Sequence, residues 1–180
     1  MQAFLELVKE RRSIRTYQKR PVTRKDLELC VEAARHSPSA CNSQPWKFLV
    51  IDDDATKEAI SKNVFSGLYN MNVFAQEAAA FITMVSGKTK FPVWLGGKIR
   101  NTDFRHIDIG IACGHLVLQA QELGIGTCIL GWFSERKLKK ILHVPALKKI
   151  ELVIALGYPL EEPHEKDLKE KTETVSFNKY

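Results

Sequence analysis

The hydrophobic positions of this 180-residue chain fall into helical stripes and short apolar runs, separated by small polar segments. Residues 3–10 (AFLELVKE) have the spacing of a short amphipathic helix, which stops at the basic segment RRSIRTY. Thr23 with Asp26 three residues on forms a helix N-cap signal, and Leu27, Cys30, Val31 and Ala34 then share one helical face up to about His36. Ser37 to Pro45 (SPSACNSQP) is small, polar and proline-bounded, so it predicts a loop. WKFLVI (Trp46 to Ile51) predicts a strand, and Asp54 is placed to cap a helix over Ala55 to Asn63. Residues 64–77 carry no clear period. AAAFITMV (Ala78 to Val85) predicts a buried strand, and residues 86–102, rich in Gly, Lys and aromatics, predict a loop.

Thr102 is placed to cap a long helix from Asp103 to Leu123. Between Ile109 and Gln121 that helix is uncharged on every face, which predicts burial on all sides, in the domain centre or at a subunit interface. Gly124 ends it. GTCILG (Gly126 to Gly131) predicts a further strand, Ser134 caps a helix to about Leu142, and Ile150 to Pro159 closes the sheet. The tail from Leu160 to Tyr180 is about half charged, and such a chain end needs a second surface to order it. With no internal repeat or linker, the reading is one domain over 1–180. Its class is α+β or α/β, a central sheet of about four strands between helices.

Composition narrows this little. Apolar residues make up 44% and charged residues 27%, the balance of a folded globular chain. The longest stretch without a charge is 14 residues, Asn63 to Gln76, short of the ~18–20 that a membrane helix needs. Met1 to Arg12 contains Glu6 and Glu10 and no continuous apolar core, so it does not read as a secretory signal; a cytoplasmic protein without membrane association is expected. The net charge of +6 favours anionic partners. It concentrates in Lys9 to Lys25, with eight Lys or Arg against one Glu, and in Arg136, Lys137, Lys139 and Lys140, a cluster that also reads as a solvated helix face. Aromatics do not interleave with these basic residues, which makes nucleic acid a poor partner.

The common catalytic devices are missing. There is no G-x-S-x-G elbow, Walker A loop or G-x-G-x-x-G after a strand. The histidines (His36, His106, His115, His143, His164) show no metal-binding grouping, so no metal is expected. His115 reads as a core or interface residue. Cys30, Cys41, Cys113 and Cys128 show no paired spacing and read mostly as buried thiols in a reducing compartment. What stands out is the cluster Arg11, Arg12, Ser13 and Arg15 just past a helix end, whose forked donors suit a phosphate. Asn42 and Gln44 can hydrogen-bond a heterocycle edge, and Gly131 lets the backbone approach a flat ring.

RRSIRTY, then SPSACNSQPW, the block DIGIACGHLVLQAQELGIGTCILGWF, and LGYP before a charged tail together resemble the nitroreductase family of FMN-dependent oxidoreductases. The resemblance covers most of residues 4–178. It implies an α+β fold with a central, mostly antiparallel sheet flanked by helices. It also implies a domain-swapped homodimer with the long apolar helix at the interface and the 160–180 tail around the partner. Arg11, Arg12 and Ser13 match positions that bind the FMN phosphate and ribityl chain, and Arg15 a basic residue beside N1 and O2 of the flavin. Pro38, Ser39, Ala40 and Asn42, with Gln44 close behind, match the loop that reaches FMN, usually from the other subunit. Ile129, Leu130 and Gly131 match the backbone facing the ring near N5. Lys166 and Lys169 take the place of the tail's phosphate contacts, in a tail more acidic than the family pattern.

No side-chain nucleophile is required by such chemistry, since the cofactor performs the hydride step and the protein supplies orientation and field. Arg15 then tunes the flavin by stabilising negative charge at N1–C2=O. The expected activity is hydride transfer from NAD(P)H through FMN to a nitroaromatic, quinone or similar acceptor by a ping-pong cycle. Two alternatives stand beside it: a specialised dehydrogenase, dehalogenase or flavin-consuming relative, and a basic, non-enzymatic nucleic-acid adaptor. Phe65, Tyr69, Phe74, Phe91 and Trp94 are candidate lid aromatics, with core packing the competing reading; Trp46 and Trp132 read as core. Cys41 stands where the family has a small residue near the flavin.

Overall fold

The computed structural model describes residues 4–161 and 166–180. Readings that fall on residue 3 and on His164 lie outside the described residues. Helix α1 (Phe4–Glu10) leads into the basic segment, and α2 (Arg24–Arg35) follows, capped by the Thr23 hydroxyl, which accepts from the Asp26 N–H at 3.1 Å. Strand β1 (Trp46–Ile51) precedes α3 (Asp54–Val64), β2 (Ala80–Ser86) and α4 (Phe91–Arg100). Helix α5 (Phe104–Glu122), β3 (Gly126–Leu130), α6 (Glu135–Ile141), β4 (Ile150–Gly157) and the short α7 (Lys171–Thr174) complete the order.

Among the described residues the strands form a four-stranded sheet in the order β1-β2-β4-β3, with every neighbouring pair antiparallel. Strand β4 therefore lies inside the sheet and β3 forms its edge, a correction to the expectation that β4 closes it. Strand side chains alternate between two cores, as a period of two requires. Ala80, Ile82, Met84, Ile154 and Leu156 pack with α2 and α5, through Leu27, Cys30, Ile109 and Leu116. Phe81, Val85, Val153 and Ala155 pack with α3 and α6, through Ile60, Val64 and Leu138. With helices on both faces, every residue of β2 is buried. Each fully buried Leu, Ile or Phe contributes about 1.5–3 kcal/mol of transfer free energy, so these two layers dominate stability.

Several boundaries differ from the sequence reading. Asp53, not Asp54, caps α3, accepting from the Thr56 N–H at 2.8 Å. Asp103, not Thr102, caps α5, accepting from the Arg105 N–H at 3.0 Å. The Ser134 side chain makes no cap hydrogen bond at α6. Residues 67–77, left unassigned, form a 3₁₀ segment with a kink at Asn72. The expected 86–102 loop contains α4, started by Pro92 in its first turn and ended by Asn101 in the left-handed conformation (φ 51°). Its two glycines hide a helix that tertiary packing of Val93 stabilises.

Helix α5 is buried on one face only. Asp108, Ile109, Ala112, Cys113, Leu116, Val117 and Ala120 face the core, whereas Ile107, Gly110, Ile111 and His115 are exposed. Within this chain His115 is thus not a core residue. Described residues of the tail from Lys166 onward are exposed throughout, including Leu168 and Phe177.

Candidate cofactor site

The basic segment lies along the open edge of the sheet. Ser13 bridges Thr127 of β3, the Ile14 N–H donates to the Thr127 carbonyl at 2.9 Å, and the Gln18 N–H donates to the Tyr158 carbonyl at 2.9 Å. Ile14 and Tyr17 are buried, and the Tyr17 hydroxyl donates to the Ile14 carbonyl at 2.7 Å. Burial pushes the Tyr17 phenol well above its ordinary range. Two glycines make this approach possible. A Cβ on Gly126 would stand 2.6 Å from Ile14 Cγ1, and one on Gly157 would stand 2.7 Å from Tyr17 Cδ1. With Ile14 and Tyr17 turned inward, Ser13 and Arg15 on either side of Ile14 are left exposed.

Three cations meet there. Arg12 Nη1 donates to the backbone oxygens of Lys9 and Arg11, and Lys166 Nζ, from the far end of the chain, donates to the Val8 carbonyl at 3.2 Å. Lost hydration, then repulsion from Arg11 and Arg12, holds the Lys166 ammonium below the usual lysine range. An anion at this place would relieve that repulsion, which is the fit expected for a phosphate. Arg15 lies 5.8 Å from the centre of the Phe74 ring and donates to the Ser13 carbonyl at 3.3 Å. Lys169 is exposed, and the structure assigns it no place in this cluster.

The 37–45 loop is held differently. Cys41, Asn42 and Gln44 all adopt left-handed backbone (φ 49°, 51° and 48°) around a 3₁₀ turn over Ala40–Asn42. The Ala40 N–H donates to Asp108 Oδ1 of α5 at 3.0 Å, and Lys90 Nζ donates to the Cys41 carbonyl at 2.9 Å. Ser39 Oγ accepts from the Gln44 N–H at 3.0 Å, and Gln44 Nε2 donates to Asn42 Oδ1 at 2.8 Å, so Asn42 and Gln44 engage each other. Pro38 is exposed at the loop's start, and Cys41 is the exposed thiol among otherwise buried cysteines. Burial raises Cys30 and Cys113 to about 12.

At the end of β3, Ile129 is exposed and Leu130 is buried in the core, so Leu130 can offer only backbone. Gly131 is exposed, and nothing lies within 4 Å of the position a Cβ would take, leaving open space above the backbone. Trp132 is 54% exposed rather than core. Its indole N–H donates to the Leu68 carbonyl at 3.0 Å and its carbonyl accepts from Asn72 Nδ2 at 2.7 Å, while the Tyr69 ring packs 5.4 Å away.

Of the other aromatics, Phe65 is core, Phe74 and Tyr69 are half-buried, and Phe91 and Trp94 are exposed on α4. They border a separate cavity of about 1250 Å³ between α4, the start of α5 and residues 145–151. Asp108, Lys90 and Asn72 were not singled out by sequence. Asp108 alone left a signal, a carboxylate immediately before an uncharged helical run. Among the described residues no cluster of His, Cys, Asp and Glu could hold a metal ion, and no helix is long and apolar enough to cross a membrane.

Known proteins match this arrangement. The model of the Nitroreductase family matches residues 8–158. A protein of Thermus thermophilus named NADH dehydrogenase is 30% identical over 186 residues, covering 85% of each chain. An iodotyrosine deiodinase of Thermotoga neapolitana is 24% identical, covering 88% of this chain and 90% of that one. Among solved structures, an FMN-dependent nitroreductase of Clostridium difficile R20291 superposes with a TM-score of 0.77 at 26% identity, covering 98% and 99% of the two chains. The sheet, the edge-bound arginines and the match over most of the sequence agree: the chain belongs to the nitroreductase family.

Proposed function

We propose that this member of the nitroreductase family is an FMN-dependent NAD(P)H oxidoreductase built as a single domain over residues 1–180 and active as a homodimer. One observation carries the reading: Lys166, more than 150 residues away in sequence, joins Arg11 and Arg12 to make a cationic cradle at an open sheet edge. Arg11, Arg12, Ser13 and Lys166 would hold the phosphate and ribityl chain of FMN. Arg15 supplies a permanent positive charge beside the pyrimidine end, where a reduced ring carries negative charge. The backbone of Ile129, Leu130 and Gly131 lines the ring, and Gly131 leaves room for that approach. Pro38, Ser39, Ala40, Asn42 and Gln44 reach the cofactor from the other subunit.

When bound, FMN would supply the redox chemistry, hydride transfer from NAD(P)H to a nitroaromatic, quinone or similar acceptor in a ping-pong cycle. The chain's own residues bind, orient and set the field. The exposed face of α5, with Ile107, Gly110 and Ile111, fits an interface between two copies, and the exposed tail fits an arm around the partner.

The purified protein should be yellow, elute as a dimer and bleach anaerobically with NADH or NADPH. A colourless monomer that takes up no FMN in excess would sink the proposal. The similarity to the deiodinase favours a second reading, reductive dehalogenation of a halogenated aromatic. Turnover of a halophenol by the dithionite-reduced protein, combined with failure of NAD(P)H to bleach it, would select that reading.

A further inference from the structure

Asp108 is a carboxylate in the wrong surroundings for a mere structural residue. It is 3% exposed, near the start of a helix whose inward face is otherwise apolar. One oxygen accepts from the Ala40 N–H at 3.0 Å, across 68 residues of sequence. The other oxygen is buried without a hydrogen-bond partner. A buried carboxylate with half its acceptor capacity unused costs free energy, and an apolar residue of similar size would stabilise the fold better. The bond it does make ends on a loop in which three residues hold left-handed backbone, a conformation costing roughly 1–2 kcal/mol each for a residue with a Cβ.

We infer that Asp108 is a positioning residue for the cofactor: its buried side-chain oxygen accepts the Ala40 N–H and thereby holds the 38–44 loop in the shape that meets FMN. The inference rests on the proposal above that this loop contacts FMN. Ala40 anchors the first turn of the loop, directly before Cys41 and Asn42, so releasing its N–H frees the strained residues that follow. Asp108 touches no reacting atom in this scheme and acts through backbone alone.

The test uses the FMN-free full-length protein titrated with FMN, with its thermal unfolding and the hydrogen exchange of peptides spanning 37–45 followed in parallel. Asp108→Ala should weaken FMN binding by about 10-fold, the worth of one buried hydrogen bond, and speed exchange in the loop. Stability without FMN should hold or rise, because the unpaired buried oxygen is gone. Asp108→Asn, which keeps an acceptor oxygen, should recover most of the affinity. Ala40→Pro removes the donor at the other end of the same bond and should weaken FMN binding similarly. Combined with Asp108→Ala it should add little, since both changes break one interaction. If FMN affinity is unchanged in Asp108→Ala, or if the two losses simply add, Asp108 does not position the loop. Loss of affinity in step with loss of stability, without recovery in the Asn variant, overturns the inference as well. Failure of the wild-type protein itself to bind FMN would instead sink the oxidoreductase reading.

Discussion

The basic segment and the 38–44 loop are both assigned to one cofactor, yet they are held in opposite ways. The segment is tied to the sheet by backbone bonds to Thr127 and Tyr158 and by the buried side chains of Ile14 and Tyr17. Its charges are therefore carried on backbone tied directly to the sheet. The loop has strained backbone, exposed Pro38 and Asn42, and bonds to α5 and α4 through Asp108 and Lys90. Rigid charge suits an anchor for a phosphate, where the ligand has one preferred place. A loop with few ties suits a surface that must admit a large flat ring, and its shape depends on single bonds.

The contrast can be broken at either side. The largest effect is expected from Arg11→Ala combined with Arg12→Ala, which should lower FMN affinity by roughly 100-fold or more, since each guanidinium–phosphate bond is worth about 1.5–3 kcal/mol. The fold should survive, because neither arginine belongs to the two buried cores; an FMN titration and a melting curve measure the two separately. Gly126→Ala attacks the anchoring itself. Its new Cβ meets Ile14 Cγ1 and Cβ, so the segment must leave β3, at an expected cost of about 1–3 kcal/mol in denaturant unfolding together with weakened FMN binding.

Smaller effects sharpen the picture. In the native protein Cys41 alone among the four cysteines should react promptly with a thiol reagent, since the others are buried, and saturating FMN should slow that reaction. Equal labelling with and without FMN would place the loop away from the cofactor. The smallest effect concerns Lys166. Its folded pKa is depressed, so between that value and 10.5 the unfolded chain binds more protons, and stability of the FMN-free protein rises with pH across that window. Lys166→Gln should flatten that alkaline rise in a pH series of melting curves and slightly weaken FMN binding at neutral pH.

Local signals in the sequence located most elements because each has a local cause: the Thr23 cap, the apolar run of β2, the glycine after α5. Where the cause is distant, sequence misled. Helix α4 looks like a loop because Gly96 and Gly97 lower its propensity, and the burial of Val93 and Gly97 against the rest of the chain offsets that. Trp132 looks like core because of its size, yet it sits half in solvent, tethered by the Leu68 carbonyl and Asn72. The arginines were legible as a candidate phosphate site, because Arg11, Arg12, Ser13 and Arg15 gather forked donors and a hydroxyl within five residues of sequence. Asp108 was not, because one carboxylate beside an apolar run says nothing about which N–H it meets.

By itself the sequence determined the period of each element, the cationic character of the RRSIR segment and the family to which these residues belong, since all three are carried by side chains close together along the chain. Only the tertiary structure decided that Lys166 joins Arg11 and Arg12, that β3 rather than β4 forms the sheet edge, and that Asp108 reaches Ala40. Those are meetings of residues far apart in sequence. They are set by which apolar faces bury each other best, a property of the whole chain that no local segment encodes.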